Sequence, residues 1–275
     1  MATLVGGYCL PHDPLITGAP KAASAEVSDK VLSAFAYIRD EIDRLAVDTV
    51  VIIGDDHCAM FSPACQPSML IGIGDLEGPL EPESWLGIAR RRVLNNSPLA
   101  QHIVEEGLDQ GFDWSVSKSL VLDHSVMVPL HLSVPAHVRS IPVYIAADML
   151  PLIRTKRCYQ LGRMIRSAIE SWPGEERVAI LGTGGLSHWV GMADSGKVNQ
   201  DFDRKVLGLI EQGDIAALVA MSDDDVMGGA GNGALEIRNW IVALSAMSPS
   251  TQRVIAYEPV EPWISGLGFV ELAHA

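Results

Sequence analysis

Residues 48–57 read DTVVIIGDDH. Five consecutive β-branched side chains, residues 49–53, end at Gly54 and are followed at once by three titratable residues. A short apolar run bounded by a glycine is typical of a strand that is buried on both faces. Apolar side chains recur at helical spacing over residues 26–45, just before this run. Together they predict a helix that packs on a central strand.

The same alternation of apolar runs and amphipathic segments continues along the chain. We predict further strands at 68–74, 114–122, 140–147, 177–184 and 253–260, and helices at 97–111, 156–171, 199–212, 214–221 and 232–247. This alternation predicts an α/β sandwich with a central mixed β-sheet and helices on both faces. Because no repeat or low-complexity linker interrupts it, residues 1–275 are expected to form a single catalytic domain.

Composition narrows the classes of function. The 275 residues are 48% hydrophobic and carry a net charge of −14, which predicts a substantial core and disfavours binding to nucleic acid or to an anionic membrane. The N-terminus lacks the basic and apolar regions of a signal peptide, and no apolar run reaches membrane-spanning length. The four cysteines lack metal-ligand spacing and are expected to be reduced thiols. We therefore expect a cytoplasmic protein.

Four of the eight histidines follow apolar segments: His12, His57, His124 and His188. Ligands of open α/β sheets bind beyond the carboxyl ends of the strands. One histidine in such a position is usually a hydrogen-bonded structural residue, whereas four indicate a common site.

A carboxylate would complete a metal site of the kind that two neutral imidazoles and one carboxylate form, with positions left open for substrate. Glu236 is the candidate, close to Asn232, which we expect to cap a helix. A glutamate there could equally stabilise the helix dipole. The same ligand types also suit catalytic zinc.

Other motifs are less specific. Asp55, Asp56 and Asp123 could bind a hard cation, but we expect them to hydrogen-bond nearby backbone or orient the adjacent histidines. The glycine-rich segments at 182–185 and 229–233 lack the Lys and Ser/Thr of a phosphate-binding loop. Ser187 lacks the second glycine of a hydrolase nucleophile motif.

The motifs PHDP, GDDHCAMF, LDHSVMVPL, GTGGLSHW and GALEIRNW occur here in one order, from His12 towards the tail EPWISGLG. As a set they resemble the class III extradiol ring-cleavage dioxygenases, which include the catalytic subunit of protocatechuate 4,5-dioxygenase and dihydroxyphenylpropionate dioxygenase. The resemblance spans nearly the whole chain. The doubled aspartate at 55–56 and the charged Arg238 depart from the pattern without removing a ligand.

The resemblance implies an Fe(II) enzyme that cleaves a catechol-type ring with O2. It implies that His12, His57 and Glu236 are metal ligands. It further implies that His188 is the acid–base residue and not a ligand, and that His124 lines the pocket and assists proton transfer. A histidine suits this role because it titrates near neutral pH.

Several alternatives remain open. The substrate could be an aminophenol or a hydroxypyridine, the same ligands could serve a zinc hydrolase, or the fold could be a non-catalytic interaction protein. The resemblance also implies a homo-oligomer, possibly with a separate small helical subunit. Lys118, Arg154 and Arg238 are candidates for binding a substrate side group, but their positions relative to the metal do not follow from the sequence.

Overall fold

A computed structural model describes residues 1–274 of the protein. Within this span, nine strands form one sheet. They are β1 (Thr3–Leu10), β2 (Thr49–Gly54), β3 (Met69–Gly78), β4 (Arg91–Val93), β5 (Ser115–Val121), β6 (Arg139–Ile145), β7 (Arg177–Thr183), β8 (Ser250–Val260) and β9 (Ser265–His274).

The strands follow the order β4-β3-β6-β2-β7-β1-β9-β8, and β5 pairs with β3. The central strands β6, β2, β7 and β1 run parallel to one another. Strand β3 is antiparallel to β6, β9 is antiparallel to β1, and β8 is antiparallel to β9. The predicted mixed sheet is therefore confirmed, with its parallel strands at the centre and antiparallel strands towards both edges.

Nine α-helices lie in the same described span. They are α1 (Leu15–Gly18), α2 (Ala25–Arg44), α3 (Ser97–Asp109), α4 (His124–Ser133), α5 (Thr155–Ser171), α6 (Gln200–Glu211), α7 (Ile215–Ala220), α8 (Asp223–Ala230) and α9 (Ile237–Met247). None of the helices within residues 1–274 combines the length and apolar character needed to cross a bilayer.

The sheet separates two hydrophobic cores. Val51 and Ile53 of β2 pack into one core with α3, α5, α6 and α9, while Val50 and Ile52 pack into the other with α2 and α4. Successive side chains of a strand point to opposite faces, so the uninterrupted β-branched run fills both cores. This arrangement confirms the prediction of helices on both faces of the sheet.

Two expectations about local structure were wrong. The predicted helix over 232–247 begins only at Ile237 and is preceded by a 3₁₀ turn, Gly233–Glu236. Asn232 does not cap it: its side chain accepts from the backbone N–H of Val190 (2.9 Å) and donates to the carbonyl of the same residue (3.1 Å). Asn232 therefore ties the turn to the loop after β7 and does not satisfy the helix end.

Six elements, α1, α4, α8, β1, β4 and β9, were not predicted. Helix α4 is buried on nearly all sides and contains Pro129, so its sequence lacks the amphipathic period that reveals a surface helix. Strand β9 includes two glycines, which weaken the strand pattern. Contacts with the sheet and the core stabilise these elements, and local sequence patterns do not reveal such contacts.

The topology brings several sequence segments to one edge of the sheet. Strands β1, β2 and β7 are neighbours and end there at Leu10, Gly54 and Thr183. The Thr183 hydroxyl lies 2.9 Å from the carbonyl of Ile53 and 3.0 Å from that of Ser125, in the first turn of α4. The ends of β2 and β7 and the start of α4 are thus held together.

Candidate active site

Four side chains converge at this edge. His12, His57, Asp55 and Glu236 each offer one potential ligand atom, and these atoms all lie within 4.8 Å of one another. Glu236 Oε2 is 3.3 Å from His12 Nε2, and Glu236 Oε1 is 3.3 Å from His57 Nε2. The structure therefore brings together the three residues that the resemblance implied as ligands, and it adds Asp55 to them.

His12 is held in one orientation by Thr183. Its Nδ1 lies 3.0 Å from the Thr183 hydroxyl, whose single proton is directed to the carbonyl of Ile53 or Ser125. We therefore assign the proton of His12 to Nδ1, which donates to Thr183 and leaves a lone pair on Nε2, facing Glu236. Burial lowers the pKa of His12 to about 4, which favours this neutral form.

His57 is oriented by Asp123. Its Nδ1 is 3.4 Å from Asp123 Oδ2, while the other oxygen of Asp123 accepts from Ser125 Oγ (2.7 Å) and Tyr144 Oη (3.0 Å). This confines Nδ1–H to the carboxylate and leaves Nε2 for the site, as carboxylates do behind metal-binding histidines. Burial opposes charging of the ring, but Asp55 and Asp123 together raise the pKa of His57 well above its ordinary value.

Glu236 is fixed by backbone at the end of its 3₁₀ turn. Its Oε2 accepts from the N–H of Gly185 at 2.7 Å. Gly184 has φ +140°, and a Cβ there would lie 2.7 Å from Glu236 Cβ, so only glycine permits this close approach. Burial opposes ionisation, but His12 and His188 hold the pKa of Glu236 well below its ordinary range. The residue therefore presents a carboxylate to the site.

The donor set fits a cation. His12 Nε2 is buried, has no hydrogen-bond partner among the described residues, and faces a carboxylate oxygen at 3.3 Å. Once the proton of His12 is on Nδ1, two lone pairs oppose each other there, and a positive charge between them would satisfy both. Two imidazoles with one carboxylate match the facial site of non-haem iron enzymes.

Asp55 was predicted to hydrogen-bond nearby backbone or to orient a histidine, but it lies close enough to offer a ligand atom itself. Its Oδ2 is 3.5 Å from His57 Nε2 and has no hydrogen-bond partner in the described chain, while Oδ1 accepts from Asn239 Nδ2 at 2.5 Å. Burial and the nearby Glu236 raise the pKa of Asp55 well above its ordinary value. Asp56, in contrast, accepts from three backbone N–H groups of residues 59–61 and shapes the following loop.

His188 lies beside the candidate ligands but outside the set of four close atoms. Its Nδ1 is 3.3 Å from the carbonyl of Leu186 and its Nε2 is 3.4 Å from Glu236 Oε1. The ring packs so closely on Gly233 that a Cβ there would come within 2.0 Å of Nε2. Burial opposes the charge, yet Glu236 raises the pKa of His188. This geometry leaves Nε2 as the atom that can exchange a proton.

His124 is the first residue of α4 and packs against the candidate ligands. Its ring centroid is 4.2 Å from that of His57 and 5.7 Å from that of His12. Its Nδ1 lies 2.5 Å from Oε1 of the buried Glu83. Sequence reasoning missed Glu83, because it lies in an acidic 3₁₀ segment, Glu81–Leu86, that carries no motif.

Two further carboxyl groups were also missed. Asp13 lines the cavity beside His12, and burial raises its pKa to about 7. Asp148 has a buried oxygen, Oδ1, without a hydrogen-bond partner among residues 1–274, and burial raises its pKa. The position of Asp13 directly after His12, a candidate ligand, is a sequence signal that could have identified it. No sequence signal points to Asp148.

The basic candidates and Ser187 do not contribute to the site. Arg238 is 1% exposed, donates to the carbonyls of Ile153 and Leu235, and pairs with Asp223, as does Arg154. Lys118 lines a different groove on the far part of β3 and β5. The Ser187 hydroxyl donates to Asp203 at 2.8 Å and accepts from the N–H of Asn199 at 2.7 Å, so its role is structural.

The cavity above the cluster has a volume of about 200 Å³. All five predicted residues contribute to its wall: His12, His57, His124, His188 and Glu236. The remaining wall is largely apolar, with Pro14, Leu15, Val190 and Ile264. An apolar protein cavity of about 150 Å³ accommodates benzene, so this space admits a single substituted aromatic ring.

Known proteins share both the sequence pattern and the fold. The family described as the catalytic LigB subunit of aromatic ring-opening dioxygenase matches residues 6–268. The 2,3-dihydroxyphenylpropionate/2,3-dihydroxicinnamic acid 1,2-dioxygenases of Rhodococcus globerulus and Escherichia coli O139:H28 are 24% and 27% identical to this chain. The first alignment covers 94% of this chain and 95% of the relative, and the second covers 95% and 96%.

Two other similarities are more limited. Gallate dioxygenase of Pseudomonas putida is 30% identical over 58% of this chain and 48% of its own length. The crystal structure of an uncharacterized protein from Escherichia coli K12 superposes with a TM-score of 0.62, covering 98% of this chain and 100% of that one. At 10% identity, this second similarity shows a shared fold and no more.

Proposed function

The chain belongs to the LigB family of aromatic ring-opening dioxygenases, and we propose that it is a non-haem Fe(II) extradiol dioxygenase that cleaves a catechol-type ring with O2. One observation carries the proposal: the buried Nε2 of His12, which has no hydrogen-bond partner among the described residues, opposes the Glu236 carboxylate at 3.3 Å, with His57 Nε2 on its other oxygen. Two neutral imidazoles and a carboxylate are the ligand types that leave open positions on iron.

His12, His57 and Glu236 would hold the iron. Bound Fe(II) would act as a Lewis acid towards the catechol oxygens and would bring O2 and the ring together. Thr183 and Asp123 support the site, since each accepts Nδ1–H from one histidine ligand and keeps the opposite nitrogen free for the metal. Asp55 lies within reach of the same position and would add negative charge behind it.

His188 would act as the acid–base residue. Its Nδ1 donates to the carbonyl of Leu186, so Nε2 can take a proton from a ring hydroxyl and return it later. Glu236 stabilises the imidazolium that forms, at 3.4 Å from Nε2. His124, held through Nδ1 by Glu83, presents its other nitrogen for a second hydrogen bond to the reacting oxygens.

The cavity wall would exclude water from the ring. Leu15, Val190 and Ile264 supply apolar surface opposite the polar cluster, which suits an aromatic ring that has hydroxyl groups on one edge. We further propose that residues 1–275 act as one catalytic domain, because strands from both ends of the chain, β1 and β9, pair beside the site.

Anaerobic reconstitution with Fe(II), followed by a substrate panel in air, tests the proposal. The panel comprises catechols, gallates, aminophenols and hydroxypyridines, and the readouts are O2 uptake and the absorbance of a yellow ring-opened product. We expect one O2 consumed per ring opened with Fe(II), and none with Zn(II) in its place. A folded, iron-loaded protein that consumes no O2 with any of these rings would contradict the proposal, and hydrolase activity with Zn(II) would replace it.

Oligomeric state remains a prediction. The resemblance implies a homo-oligomer and allows a small helical partner subunit. Sedimentation velocity of the purified chain at several concentrations would decide between a monomer and a self-associated form.

A further inference from the structure

Among the described residues, the cavity wall carries no permanently charged cationic side chain. Among residues 1–274, neither lysine nor arginine lines it, whereas the carboxyl groups of Asp13 and Glu236 both do. We propose that this site, in the function proposed above, selects catechol-type rings whose substituent carries no carboxylate. A carboxylate taken into such a cavity would lose its hydration without gaining a permanently charged partner.

Asp13 occupies the position that would decide this selectivity. The residue is buried, and Oδ1 accepts from the N–H of Leu15 at 2.8 Å. Within residues 1–274, the hydrogen bond of the Asp13 carboxyl group to Leu15 uses Oδ1 and not Oδ2. In its ionised form Asp13 repels a carboxylate, and in its protonated form it supplies no charge to balance one. It can, however, accept from or donate to an uncharged polar group.

Backbone donors could also bind an anion, but several along the wall are already engaged. The N–H groups of Gly185 and Leu15 donate to carboxylates, and that of Val190 donates to the side chain of Asn232 at 2.9 Å. The N–H of Ile264 donates to a backbone carbonyl at 2.9 Å. These groups are therefore not free to form the nest that binds a carboxylate in other proteins.

Ser265 adds an uncharged polar group to the same wall. Its hydroxyl is buried and lacks a hydrogen-bond partner in the described part of the chain. It lies next to the Gly185 backbone, where a Cβ would come within 2.7 Å of Oγ. A hydroxyl that can both donate and accept suits a neutral substituent such as an alcohol or amide.

The loop that carries Val190 also carries a basic residue, Lys197. Its Nζ lies over the ring of Trp189, 4.9 Å from the centroid, and the side chain is not part of the cavity wall. The cation–π contact holds this exposed charge on Trp189. Lys197 therefore does not alter the charge of the cavity.

Matched acid and amide substrates test the inference on the iron-loaded enzyme. The pairs are 3,4-dihydroxybenzoate with 3,4-dihydroxybenzamide, and 2,3-dihydroxyphenylpropionate with its primary amide. Each pair has nearly the same size and differs in charge. We expect kcat/KM for the amide to exceed that for the acid at least tenfold. A kcat/KM for the acids that equals or exceeds that for the amides would overturn the inference.

Substitutions in the cavity wall test whether its charge causes the preference for amides over acids. Val190 is 47% exposed and lines the cavity, so Val190→Arg should raise kcat/KM for the acids relative to the amides about tenfold, whereas the uncharged control Val190→Gln should not. Asp13→Asn should shift the same ratio towards the acids. Each result is the ratio of kcat/KM for the acid to kcat/KM for the amide, measured on the same variant. A general loss of activity lowers both values equally and leaves this ratio unchanged. Unchanged ratios in both Val190→Arg and Asp13→Asn would overturn the role of cavity charge.

The inference and the proposed function fail in different ways. If no ring compound is cleaved, the proposed function fails. The dissociation constants of each acid and amide, measured without O2 by tryptophan fluorescence, then still decide the inference, with tighter binding of the amides expected. If acids are cleaved well and Lys197→Met abolishes that preference, the function stands and Lys197 enters the site, contrary to the inference.

Discussion

The Nδ1 atom of His124 lies 2.5 Å from Oε1 of Glu83, and both side chains are buried. A carboxylate behind an imidazole sets which nitrogen carries the proton and orients the ring, as in other catalytic histidine sites. The two residues are 41 positions apart and belong to different elements. This pair, together with Asp123 behind His57 and Thr183 behind His12, gives three of the site histidines a side-chain partner.

Glu83→Leu should reduce kcat roughly 10- to 100-fold, because His124 loses the partner that orients it. Glu83→Gln retains an oxygen that can accept from Nδ1–H and should recover much of the rate. The exposed Glu81→Gln, in the same 3₁₀ segment, is the matched control and should behave as wild type. Equal rates for Glu83→Leu and the control would show that Glu83 does not position His124.

His188→Phe should leave iron bound while reducing turnover by roughly 10²- to 10⁴-fold, the usual contribution of general acid–base catalysis. The phenyl ring fills a similar space but cannot accept or return a proton. Iron content by mass spectrometry and initial rates of O2 uptake are measured on the same preparation. Near-normal turnover would exclude His188 as the acid–base residue, and loss of iron would make it a ligand.

Thr183→Val should weaken Fe(II) binding roughly 10- to 100-fold, because His12 loses the acceptor that keeps its proton on Nδ1. The free energy of unfolding of the metal-free protein should fall by only about 1 kcal/mol for the lost hydroxyl hydrogen bond. Thr183→Ser keeps the hydroxyl and should bind iron as wild type does. Anaerobic titration with a competing chelator measures the affinity; equal affinities for the valine and serine variants would contradict the argument.

Iron should stabilise the folded protein. A metal that binds only the native state adds about 2.7 kcal/mol to the free energy of unfolding at 100 times its dissociation constant. Anaerobic urea unfolding with and without Fe(II) would measure this gain. Glu236→Gln and His57→Ala should abolish it, whereas His137→Ala, an exposed histidine outside the site, should preserve it. A full gain in the Glu236 variant would remove that residue from the ligand set.

Arg238→Met should destabilise the protein by about 3 kcal/mol, because it removes a buried guanidinium that pairs with Asp223 and donates to the carbonyls of Ile153 and Leu235. Arg154 pairs with the same aspartate but is 80% exposed, so Arg154→Met should cost at most about 1 kcal/mol. Urea unfolding compares the two. A raised KM for Arg238→Met, without loss of stability, would instead indicate contact with substrate.

Local sequence patterns were sufficient to predict the central strands β2, β6 and β7 and to identify the motifs that form the site. The β-branched residues 49–53 predict a buried strand without reference to any other part of the chain, because their side chains favour a pleated backbone. His12, His57 and His188 then follow strands whose ends meet, once the sheet is taken as largely parallel. The order of these motifs was sufficient to identify the family.

Which atoms of those residues face one another depends on contacts between distant parts of the chain. Thr183 is 171 positions from His12 and Asp123 is 66 positions from His57, and their contacts depend on sheet register and on the placement of α4, which the local sequence did not predict. Likewise, the fold places the Arg238 guanidinium against Asp223 and not in the cavity wall. A residue's chemistry is local, but its protonation and its partner are set by burial and by neighbours that folding brings from distant parts of the chain.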